Sequence, residues 1–246
     1  MRAMISSKDA RDGETLLPID PIAVLKAEEA PVIQVDMPAG GVTEGAVTVT
    51  VPVARPQGSK MVDPGVVVIL VDADGSETVV PKTAFGATGV VIDLEEDATI
   101  KVVGRSIALP DAKQDDWFYR DVMPFATSRG ILNGVDTPDG RVFDGNGSTS
   151  RGMFVAMLSN LEMGPKAERD GSFEDVAPDA WYAAAAAWAA ENGLVSGVDT
   201  PNGKRFEGDA PVTREQVAVF LMRYADFLGL DTSARRHGIS RFRRRL

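Results

Sequence analysis

Cysteine is absent from this chain and histidine occurs once. The first absence excludes disulfides, thiolate metal sites and cysteine nucleophiles together. The second leaves metal ligation and histidine-based acid–base chemistry almost nothing to use, since the single His237 lies in an arginine-rich tail. No HExxH, GxSxG or phosphate-loop glycine motif occurs. Adjacent carboxylates such as Asp115–Asp116 and Glu95–Glu96 point apart on a helix or strand, so they read as solvated surface and not as a glycosidase pair. The expectation is a chain that is not an enzyme, with no cofactor and no metal.

Long hydrophobic runs are missing too. The longest, Val66 to Val71 and the Ala-rich Trp181 to Ala190, fall far short of the ~20 residues that cross a bilayer. Met1 to Ala10 carries Arg2, Lys8 and Asp9 without an apolar stretch, so nothing in it reads as a secretion signal. The chain reads as intracellular or as a piece of a longer protein. A net charge of -10 argues against a general nucleic-acid binder, the exception being the tail, where Arg235, Arg236, Arg241, Arg243, Arg244 and Arg245 crowd together.

What is present suffices for two ordinary domains: 246 residues, 44% hydrophobic and 25% charged. Residues 1–30 show no period and carry Pro18 and Pro21, and read as linker. From Pro31 to Arg105 the runs VIQVDM, AVTVTVPV, GVVVILV, ETVV, GVVIDL and ATIKVV are short, β-branched and separated by turn residues. They predict an antiparallel β-sandwich-like domain. Asp74–Gly75 between two of them predicts a hairpin turn, favoured over a calcium loop of Asp72, Asp74 and Glu77 because the ligands that would fill out an EF-hand are missing.

Beyond Arg105 the chain repeats itself. GILNGVDTPDGRVFDG (Gly130–Gly145) and GLVSGVDTPNGKRFEG (Gly193–Gly208) are offset by 63 residues. In the same register Tyr119, Ala126, Arg151 and Leu158 fall on Tyr182, Ala189, Arg214 and Leu221, and one inserted residue upstream restores Asp111 and Trp117 to Asp175 and Trp181. A repeat at fixed spacing signals one supersecondary unit used twice, each copy burying its neighbour's face. Helical spacing places Phe118, Val122, Phe125 and Ala126 on one face, and Trp181, Ala185, Trp188 and Ala189 on its counterpart. A second helix begins at Ser150 and at Thr213, where Thr213 and Gln216 form a capping box. Its predicted buried faces are Phe154, Met157, Leu158 and Leu161, and Val217, Phe220, Leu221 and Tyr224. The fold class is thus α+β multidomain, a β-sandwich-like domain followed by an all-α array of helix–loop–helix repeats over residues 106–168 and 169–230, then an irregular tail, 231–246.

FEDV (Phe173–Val176), Trp181–Tyr182, the GLVSG loop, RFEG (Arg205–Gly208) and VTREQ (Val212–Gln216), in that order, resemble the S-layer homology domain. The second repeat matches almost throughout, with Gln216 where the family usually has Glu. The first is looser, with LPDA (Leu109–Ala112) for FEDV and Ser150–Arg151–Gly152–Met153 at its second helix start. The resemblance implies an extracellular protein held non-covalently on a Gram-positive cell wall or S-layer by a secondary cell-wall polysaccharide, often one bearing ketal-linked pyruvate. Arg151 and Arg214, with Thr213, would place a donor fork at a helix N-terminus for a carboxylate. Trp117 and Trp181 would offer flat faces to a sugar or serve as core. Gly134 and Gly197 would let backbone approach the ligand or act as C-caps, and Asp111 and Asp175 would accept from sugar hydroxyls or cap a helix. Family members usually have three repeats closing into a threefold spindle. The tail then reads as a truncated or frameshifted third repeat or as a basic polymer-binding arm, with an exposed apolar patch marking the vacant place and self-association as one way of filling it. An adhesin-like interaction module acting through the β domain, or a fragment of a wall-bound enzyme, are the alternatives.

Overall fold

The computed structural model describes residues 1–5, 15–38, 46–54, 64–85, 88–105, 107, 109–120, 122–164 and 173–232. It divides into two compact units, Met1–Gly145 and Asn146–Leu246. The division falls inside the first repeat, after Gly145. The tail from residue 233, with both readings of it, lies outside the described residues.

In the first unit all six predicted runs are strands: β3 (Ile33–Asp36), β4 (Val47–Pro52), β5 (Val66–Val71), β6 (Glu77–Val80), β8 (Gly89–Leu94) and β9 (Ala98–Gly104). They are joined by β1 (Arg2–Met4), β2 (Thr15–Leu16) and β7 (Ala84–Phe85). One sheet runs β1-β3-β9-β5-β6 and the other β2-β4-β8-β7. Val35, Ile100, Val102 and Val68 from the first meet Val49, Val51, Val90 and Ile92 from the second in one core. Alternation along β-branched strands places these side chains on a common face. The Asp74–Gly75 pair forms the predicted turn, with Gly75 at φ +84 and Gly75 N–H donating to Asp72 O at 2.9 Å.

Two features correct the expectation. Residues 1–30 are not simply linker: β1 and β2 add parallel edges to the two sheets, pairing with β3 and β4. Ala3, Ile5, Leu17 and Ile22 enter the shared core, and Ala30 covers Val67, Ile69 and Val103 on the opposite face of the larger sheet. These strands are two or three residues long, too short to show a period. The sandwich is therefore antiparallel except at these two added edges.

The first repeat begins in this unit with α1 (Val122–Ser128) and the hairpin β10 (Val135–Thr137) to β11 (Gly140–Val142). Arg129, just past α1, is 1% exposed. Its guanidinium donates to Pro64 O at 2.7 Å and Val66 O at 3.0 Å and lies 4.1 Å from the Phe125 ring centroid. Burial lowers its pKa to about 10, which still leaves it charged at neutral pH.

The second unit holds α2 (Arg151–Leu161), α3 (Ala183–Glu191), the hairpin β12 (Val198–Thr200) to β13 (Gly203–Arg205), and α4 (Arg214–Phe227). Ser150 and Thr213 are the N-caps of α2 and α4, as the sequence predicts, and Thr213 with Gln216 makes the capping box. α2 belongs to the first repeat and α3 to the second, yet Val155 and Leu158 share one core with Tyr182, Ala185, Ala186 and Trp188. Glu162, at the end of α2, accepts from the Tyr224 hydroxyl of α4, and burial with this bond raises the Tyr224 pKa. The expected helix–loop–helix repeat is a helix–hairpin–helix, so the array is not all-α. Asp139–Gly140 and Asn202–Gly203, at the hairpin tips, carried that signal in the sequence.

Candidate functional site

The two repeats build the same constellation. The Asp111 carboxylate accepts from the N–H groups of Phe143 and Asp144 at 2.7 and 2.8 Å, and Asp175 accepts from Phe206 and Glu207 at 2.7 and 2.8 Å. Each clip holds the strand leaving a hairpin where a non-glycine residue turns left-handed, Asp144 at φ 53 and Glu207 at φ 59. Neither aspartate caps a helix, and both oxygens of each accept from the loop's own N–H groups. Their chemistry goes into the loop.

The glycines act in the same way. Gly134 and Gly197 have φ +80 and +67, and a Cβ on either would fall 2.7 Å from Val142 O or from the Phe173 ring. Their close approach is to the protein's own hairpin and aromatic core, and not to open space for a sugar. The Thr213 hydroxyl oxygen accepts from the Gln216 N–H as a cap.

The arginines part company. Arg151, at the first turn of α2, is 6% exposed and donates Nε–H to Phe206 O at 2.8 Å. Its guanidinium carbon stands 5.2 and 5.3 Å from the Phe206 and Phe220 ring centroids, and burial lowers its pKa. This corrects the expectation of a ligand-facing fork: the group fixes the first repeat's helix to the second repeat's hairpin. Arg214, at the same position of α4, is exposed, and no described residue accepts a hydrogen bond from it.

The tryptophans behave oppositely to a core residue. Trp117 is 73% and Trp181 64% exposed. Each stands edge-on against the ring that follows it, Trp117 on Phe118 at 5.6 Å and 86°, Trp181 on Tyr182 at 5.2 Å and 89°. The buried members are Phe118 and Tyr182, which seal the loop glycines Gly145 and Gly208. Structurally Phe118 is thus the counterpart of Tyr182, and the register that sets Tyr119 on Tyr182 slips by one here.

Residues 172–218 match the S-layer homology domain. The match spans the Asp175 clip, Trp181, α3, the β12–β13 hairpin and the capped start of α4. S-layer homology domains are in general associated with anchoring at the cell wall. Neither the comparison with curated proteins nor that with solved structures gives a match. Among the described residues no helix is long and apolar enough to cross a membrane, and no group of three or more His, Cys, Asp or Glu side chains is disposed to hold a metal ion.

Proposed function

We propose that this chain is a non-catalytic anchor that fastens a protein to the bacterial cell wall by holding a secondary cell-wall polysaccharide without a covalent link, both repeats taking part. The observation that supports it is the pair Trp117 and Trp181: two large apolar rings left open at matching positions, each fixed by a buried aromatic neighbour. An indole face held in this way stacks on the C–H face of a sugar ring and offers one N–H to a hydroxyl, at little ordering cost. With Arg151 enclosed, the arginines no longer carry the reading.

The test is co-sedimentation with purified wall sacculi, before and after the polysaccharide is extracted. The intact chain is expected to sediment only with the unextracted walls. Trp117→Ala with Trp181→Ala should weaken that binding about tenfold and leave the fold intact, since both rings are mostly exposed. Undiminished binding by the folded double variant would refute the tryptophan site.

A further inference from the structure

The repeat allows each helix face to be compared with its own counterpart. In α2, Arg151, Gly152, Val155 and Leu158 are buried. In α4, 63 residues on, Arg214, Glu215, Ala218 and Leu221 are all exposed, Leu221 by 48% although the spacing predicts it inside. At the other end of the array Ala185 and Trp188 of α3 are buried, while their counterparts on α1, Val122 and Phe125, are 42% and 38% exposed. What closes these faces within the second unit is visible: α2 packs on α3. Among the described residues nothing closes the exposed face of α4 or that of α1 in this way. Each of these faces carries exposed apolar side chains, Val122 and Phe125 on α1 and Leu221 on α4.

We propose that the chain associates head to tail with a second copy of itself, α4 of one copy lying on α1 of the next as α2 lies on α3. Arg214 takes the place of Arg151, with Phe143 O of the second copy in the place of Phe206 O. No described residue donates to that carbonyl. The contact is heterologous, each copy offering a different face, so every copy keeps one free end until a ring closes. One position differs. Gly152 lets α2 meet the Tyr182 ring so closely that an added Cβ would lie at 2.8 Å, whereas α4 has the exposed side chain of Glu215 at that place. The intermolecular joint is therefore looser than the internal one, and its dissociation constant is expected in the micromolar range.

Two variants test it on the full chain, Leu221→Asp at the tail face and Val122→Asp at the head face, with circular dichroism to check the fold. By sedimentation velocity from about 1 to 500 µM, the natural chain should move from the mass of one copy to higher masses. Each variant alone should stay largely at one copy at the concentrations that half-associate the natural chain, with association weakened by on the order of 100-fold. An equimolar mixture should form a two-copy species and nothing larger, because one intact head and one intact tail remain. A natural chain that stays single throughout overturns the proposal. So does Val122→Asp associating alone, which would mean two α4 faces pairing, and so does a mixture that fails to associate while the natural chain does.

Discussion

Cutting the chain at the boundary of its sequence repeat should destroy the fold of its second half, while cutting half a repeat earlier should preserve it. The two pieces are 169–246 and 146–246, which share a C-terminus and differ by α2. Removing α2 takes Val155 and Leu158, 0% and 4% exposed, out of the core they share with Tyr182 and Ala186. Burial of two such side chains is worth roughly 3–6 kcal/mol. The backbone bonds Arg151 N–H to Ala210 O, Gly152 N–H to Gly208 O and Val212 N–H to Thr149 O go as well, at about 1 kcal/mol each. A unit of this size has about 5 kcal/mol to lose in all. The shorter piece is thus expected to show no cooperative thermal transition by circular dichroism and collapsed amide dispersion by NMR, and the longer one a single sigmoidal melt. A melt of 169–246 within about 5 °C of its longer partner would refute the reasoning that α2 completes this core.

Two more outcomes concern the first unit. Arg129→Met leaves the carbonyls of Pro64 and Val66 without their charged donor, costing about 3 kcal/mol and lowering its melting temperature by about 8 °C; a loss under 2 °C would show that the cation is dispensable. Burial alone would raise the Asp111 carboxyl, but the N–H groups of Phe143 and Asp144 hold it below its ordinary value. A depressed folded pKa stabilises above the unfolded value near ~4 and loses that contribution as pH falls through the folded one. Melting of the natural chain from pH 7 to pH 2.5 should therefore fall more steeply than that of Asp111→Asn, and parallel curves would count against the clip.

How far the sequence reached depended on whether a feature has a period. Six strands were legible because they are β-branched runs of four to seven residues between turn residues, and the repeat because it recurs at a fixed offset. β1 and β2 were not, since two or three residues carry no alternation. The repeat also located the functional constellation without sorting it. Asp111, Asp175, Gly134 and Gly197 recur because the hairpin needs them, and Arg151 because it seals a joint, whereas only burial reveals that Trp117 and Trp181 face outward. Arg129 left no trace in the pattern: its counterpart is Asn192, whose amide donates to Trp188 O, so the anchoring of α1 belongs to the first repeat alone.

Because α2 leaves its own repeat to pack with the next one, the period of duplication and the unit of folding are out of phase by half a cycle. Gain of one whole 63-residue period therefore keeps each helix beside a partner of the right kind, and the close contact with the Tyr182 ring returns wherever the copy carries Gly152. Lengths that are not multiples of the period strand a helix. A gene built in this way can lengthen its array by recombination at almost any point without first inventing an interface.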